Sequence, residues 1–142
     1  GGLEEVFAKG FAQDNSVFSA IRYFREEFLA LPHPTRVKKH LPNVDKGSAA
    51  KRINMFLRWM VRSDDLGVDF GLWHSIPTSA LMLPLDVHAA NISRRLGILL
   101  HPKNDRRAVE EVTAYLRRID PQDPVKYDFA LFGEGVFDGK EI

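Results

Sequence analysis

The chain has 142 residues, the length of one ordinary domain, and its 44% apolar and 27% charged residues are too apolar a mixture for a disordered chain. No apolar run approaches the roughly 18 residues that a membrane-spanning helix needs, so no membrane partner is expected. Cysteine is absent. That excludes disulfides, thiolate metal sites and iron–sulfur clusters, and it fits a cytoplasmic origin. The net charge of +1 hides two basic blocks: residues 36–62 carry +7 and residues 91–118 carry +4, while the flanking stretches are acidic. Two such blocks on a nearly neutral chain point to one positive face, the usual electrostatic footprint for phosphates.

In chain order, Leu3, Val6, Phe7 and Phe11 form a short apolar stripe at helical spacing. Ser16 can cap a second helix carrying Phe18, Ile21, Phe24, Phe28 and Leu29, which Pro32 and Pro34 end. A turn through Leu41–Gly47 leads to Ser48, read as the cap of a helix over roughly 49–62. Its apolar face is Ile53, Phe56, Leu57, Met60 and Val61. Lys51, Met55, Arg58 and Arg62 fall opposite, which predicts a face that is basic along its whole length. The stretch 64–77 reads as a loop or short helical turns, and 78–82 as one helical turn before Pro84.

Asp86 stands at an N-cap position before Val87–Leu96, with Gly97 as the residue just past the helix end. Asp105 caps a further helix, with Ala108, Val109, Val112, Tyr115, Leu116 and Ile119 on one face. Asp123 and Pro124 open a last helix running through Phe129 and Phe132 to Gly133. The expectation is an all-α, bundle-like single domain over 1–142, with about six helices.

Standard catalytic signatures are missing. There is no G-x-S-x-G elbow and no glycine-rich phosphate loop of standard spacing. The five histidines (His33, His40, His74, His88 and His101) show no H-x-x-x-H spacing, so no metal or other cofactor is expected. Two segments remain, LPNVDKGSAAKR (41–52) and PLDVHAANISRRLG (84–97). The first is a turn running into a helix start, where open backbone N–H groups suit a phosphate and Lys46 and Gly47 suit its close approach.

PLDVHAANISRRLG resembles the segment that carries the catalytic aspartate in the helix-hairpin-helix superfamily of DNA glycosylases. LPNVDKGSAAKR resembles their hairpin, usually LPGVG-x-K-T/S-A with a lysine nucleophile in the bifunctional members. KRINMFLRWMVR, VDFGLW and DPVKYDFALF resemble more closely a bacterial family catalogued only as a domain of unknown function, over most of the chain from about Lys46 onward. Its members are longer at the N-terminus, so the chain is expected to be the C-terminal part of one. The resemblance implies the helix-hairpin-helix glycosylase fold and duplex DNA as partner. It gives Asp86 as the counterpart of the superfamily aspartate and Lys51 as that of the lysine, in the style of the archaeal 8-oxoguanine glycosylases.

The chain departs from the hairpin pattern in having Asn43 and Asp45 where glycines are usual. Lys51 also follows Val44 by seven positions where the pattern has three. Either the hairpin holds an insertion, or Lys46 is the equivalent lysine.

The implied activity is removal of a damaged base from DNA, with or without cleavage of the abasic strand. Lys51 would attack the sugar of a flipped nucleotide, and Asp86 would stabilise the developing positive charge. Lys38, Lys39, Lys46, Gly47, Arg58, Arg62, Arg94 and Arg95 are the expected DNA contacts, with Trp59 and Trp73 as possible stacking platforms. The alternatives are a DNA-gripping module without chemistry and a helical protein-interaction domain whose basic faces serve solubility alone.

Overall fold

The computed structural model describes residues 2–64 and 69–127. The described residues form five α-helices: α1 (Leu3–Phe11), α2 (Val17–Leu29), α3 (Lys51–Val61), α4 (Val87–Arg95) and α5 (Arg106–Ile119). Short 3-10 turns lie at Thr35–His40, Val44–Lys46, Thr78–Ala80 and Pro124–Tyr127. The expected all-α class holds, and the extended backbone shows only an isolated bridge between Ser63 and Phe70 among the described residues. The last helix expected from Asp123 is a 3-10 turn as far as Tyr127; its continuation to Gly133 lies outside the described residues.

Local chemistry sets most boundaries. Ser16 Oγ accepts from Phe18 N at 3.2 Å, Asp86 Oδ1 from Ala89 N at 2.7 Å, and Asp105 Oδ1 from Ala108 N at 3.3 Å. Each satisfies an N–H that the helix leaves without an internal partner. Gly97 follows α4 with φ +77°, a left-handed turn that a side chain would disfavour.

α1 and α2, joined by a short turn, pack against each other at Gly10. A Cβ there would stand 2.6 Å from Tyr23 Cβ, 2.7 Å from Ala20 Cα and 2.9 Å from the Ser19 carbonyl, so only glycine lets the backbones approach this closely. Phe7 stacks on Phe24 (centroids 4.9 Å apart) and also meets Phe56 and Trp73, which joins α1, α2 and α3 through one aromatic cluster. Trp73 is thereby a packing residue; Trp59 is exposed.

The segment 76–85 is mostly extended and carries the buried residues Ile76, Leu81, Met82, Leu83 and Leu85. It lies along α5: Thr113 Oγ1 accepts from Leu83 N at 3.0 Å in the core, and Arg117 donates from Nε to the Ser79 carbonyl and from Nη2 to the Leu81 carbonyl, both at 3.1 Å. This strap leads directly into Asp86 and α4.

Candidate functional site

α3 begins later than its sequence suggests. Ser48 Oγ accepts from Ala50 N at 3.1 Å and does not cap the helix; the residue at the N-cap is Ala50, held at φ +50°, ψ +44° with no side-chain acceptor. Left-handed backbone costs a residue with a Cβ on the order of 1 kcal/mol. The buried Asn54 side chain lies beneath this turn, donating from Nδ2 to the Ala49 carbonyl at 3.1 Å. The N–H groups of Lys51, Arg52 and Ile53 are therefore the ones at the open end of the helix, where the dipole is positive.

The hairpin amides, by contrast, are internally satisfied. Lys46 N donates to the Asn43 carbonyl and to Asn43 Oδ1, Gly47 N to the Val44 carbonyl, and Ser48 N to the Asn43 carbonyl. The Gly47 N–H thus has an internal acceptor and is not an open donor. That glycine, at φ +99°, serves the turn, and its carbonyl accepts from Arg106 N at 2.9 Å, which fixes the hairpin to the start of α5.

Lys51 lines an open groove of about 690 Å³ with Lys39, His40, Arg52, Leu85 and Asn104 among its other walls. Among the described residues no carboxylate lines it. Lys39, Lys51 and Arg52 are exposed, and among the described residues Lys51 makes no ion pair. Asp86 is not a wall of this groove, although the preceding residue, Leu85, is. Its carboxylate caps α4. Lys46, the alternative lysine, lines a separate small hollow beside Arg22 and Arg25.

Other expected contacts are placed differently. Arg58 is only 4% exposed and reaches Asp69 at 3.3 Å. Arg62 is drawn into the same cluster by Asp69 at 2.8 Å, Asp64 at 3.4 Å and Asp123 at 2.9 Å. The expected continuous basic face on α3 is thus corrected to an exposed basic N-terminal end and a charged cluster with its arginines turned inward. The Asp123 and Asp69 hydrogen bonds raise the Arg62 pKa further above its ordinary value despite the opposing effect of burial.

Arg94 donates to the His101 carbonyl from Nε and Nη2 and to the Lys103 carbonyl from Nη2, bracing the loop between α4 and α5. Lys38, Lys46 and Arg95 are exposed. Arg52, His40 and Asn104 are not among the expected site residues, yet they join the groove. Arg52 is the legible one, a cation beside Lys51 at the helix start.

The family model described as Protein of unknown function (DUF2400) matches residues 1–137, and the chain belongs to that family. No curated protein and no solved structure matches it.

Proposed function

We propose that this member of the family acts on DNA as a base-excising glycosylase, with Lys51 as nucleophile. The observation that carries the reading is the position of Lys51: exposed, outside any ion pair among the described residues, at the open N-terminus of α3 in a groove that has Lys39 and Arg52 among its walls and, among the described residues, no lining carboxylate. A groove of this volume lies within the range that accommodates nucleotide-sized ligands. Lys39 and Arg52 supply phosphate contacts, and the helix dipole favours the same charge.

In this reading the Lys51 Nζ lone pair forms a bond to C1′ of an extruded nucleotide. The glycosidic bond breaks, and its electron pair leaves with the base, which takes up a proton. Loss of the amine proton and ring opening give an iminium between Lys51 and the sugar, from which the strand can be cleaved by elimination. Asp86, one residue beyond the groove wall, is assigned electrostatic stabilisation of the positive sugar.

Borohydride reduction of the iminium tests this. The protein should form a covalent adduct with a duplex drawn from a panel of oxidised, alkylated and abasic lesions, and Lys51→Gln should form none. Absence of any adduct or base release from folded protein across the panel would refute the enzyme reading. A second reading, DNA binding without chemistry, is favoured by the engagement of Asp86 as a helix cap at 2.7 Å and its absence from the groove wall. It predicts salt-sensitive binding that Lys51→Gln weakens by the equivalent of one charge, with no adduct.

A further inference from the structure

A larger cavity, of about 760 Å³, lies between the α1–α2 turn, the 77–82 strap and the length of α5, and it shares no lining residue with the Lys51 groove. Phe11, Phe18 and Met82 give it an apolar side, while Ser16, Arg106, Glu110 and Arg117 are among its polar walls.

The two arginines differ. Arg106 has its charge answered: its Nε donates to Glu110 at 2.9 Å, and its guanidinium lies 4.5 Å from the centre of the Phe18 ring. Arg117 is half-buried, and among the described residues it meets only neutral groups, the carbonyls of Ser79 and Leu81 and the sulfur of Met82. No carboxylate pairs with it among the described residues, and Nη1 has no acceptor there. Burial acts alone on this group and lowers its pKa.

A half-buried guanidinium without a counter-charge loses part of its hydration with no ion pair to offset the loss. Its two bonded nitrogens are held on the strap, so its orientation is fixed before any ligand arrives. That is the condition under which an anion gains most from a charge-assisted hydrogen bond.

We propose that this cavity binds a small organic oxyanion, a carboxylate or phosphate on an apolar body, with Arg117 as the anion contact and Phe11, Phe18 and Met82 against the body. The site is independent of the DNA reading.

Titration of 15N-labelled protein with phenyl phosphate, benzoate and inorganic phosphate tests it. At least one of the two aromatic anions should give saturable amide shifts at Ser16, Phe18 and Ser79, at a concentration at least about tenfold below that needed for inorganic phosphate, which lacks the apolar body. The tighter of the two identifies the oxyanion as phosphate or carboxylate. Arg117→Gln should weaken that binding at least about tenfold. Because Arg117 also braces the strap, Ser79→Phe is the companion variant: it fills the cavity, keeps the carbonyl that Arg117 uses, and should abolish the shifts. Shifts that do not saturate with either aromatic anion, or binding unchanged in both variants, would overturn the proposal.

Discussion

Arg62 and Asp123 are 61 residues apart in sequence and form a two-point ion pair, Nε to Oδ1 and Nη2 to Oδ2, each at 2.9 Å. The Arg62 side chain is 11% exposed and that of Asp123 26%, so the pair is largely withdrawn from water while joining the end of α3 to the segment after α5. Removing Arg62 deprives Asp123, Asp69 and Asp64 of a shared cation, which costs about 3 kcal/mol, whereas removing Asp123 leaves Arg62 still paired with Asp69 and Asp64. Arg62→Ala should lower the unfolding free energy by about 3 kcal/mol and Asp123→Ala by about 1 kcal/mol, and the double variant should cost clearly less than the sum. Additive losses in chemical denaturation would mean the two side chains contribute separately.

The arginine cluster makes the two ends of α3 respond differently to substitution. Lys39→Ala and Arg52→Ala remove exposed cations from the groove. Each should leave stability within about 0.5 kcal/mol and reduce the slope of log DNA affinity against log salt by about 0.9 for each phosphate no longer neutralised. Arg58→Ala should instead destabilise the fold, because it strips Asp69, itself 3% exposed, of one of its cations. Measuring salt slope and melting temperature on the same three variants separates binding cations from structural ones. A normal salt slope for Lys39→Ala and Arg52→Ala would remove the groove from the DNA surface.

What can be read from the sequence is largely local. Ser16, Asp86, Asp105 and Gly97 mark helix ends through contacts made within a few residues, and each occupies the position expected for it. Ser48 does not cap α3 because its role depends on the left-handed turn at Ala50, which no adjacent residue type announces. A helical wheel gives Arg58 and Arg62 the right angle but carries no information about what packs there. Asp69 arrives from beyond the helix and Asp123 from beyond α5. The strap at 76–85 reads only as a loop and a turn, since extended backbone buried against α5 has neither helical nor alternating periodicity. Of the candidate site, Lys51 and its neighbour Arg52 at a helix start are legible; His40 and Asn104 come from two other segments that only the fold brings to them.

Gly10 illustrates a constraint visible only in three dimensions. Gly10→Ala would improve helix propensity in isolation, yet its methyl group would sit 2.6–2.9 Å from three atoms of α2. The backbone atoms among them cannot rotate away, so α1 and α2 must separate. The expected outcome is a loss of about 1–3 kcal/mol, the range for forced overpacking. A melting temperature equal to or above that of the parent would show that the helix contact is loose.

The α4–α5 loop should depend on pH. Glu111 Oε2 accepts from Leu100 N at 2.8 Å and from His101 N at 3.1 Å, and these backbone bonds, the His101 one first, hold its pKa below the ordinary 4.5. A carboxylate with a depressed folded pKa contributes stability that is present above about 4.5 and is lost as the pH falls through the folded value. The Leu100 and His101 amides should therefore lose exchange protection on acidification before the α5 amides do, and Glu111→Ala should abolish the difference. Equal loss throughout the loop and α5 would mean that global unfolding, not this carboxylate, sets the acid response.

Asp86 allows its structural and chemical roles to be separated, because asparagine caps a helix about as well as aspartate does. Asp86→Asn keeps an oxygen for the Ala89 N–H and removes the charge, while Asp86→Ala removes both. Stability should fall by about 1 kcal/mol in the alanine variant and by only a few tenths in the asparagine variant. If the carboxylate stabilises a positive sugar opposite Lys51, base excision should fall in both variants by about 10²–10³-fold, the scale seen when one preorganised electrostatic interaction is deleted. DNA binding should survive in the asparagine variant, since every phosphate-binding cation is still present. Excision that follows stability, nearly normal for Asp86→Asn and reduced only for Asp86→Ala, would assign this residue to the cap alone and leave Lys51 without its proposed partner.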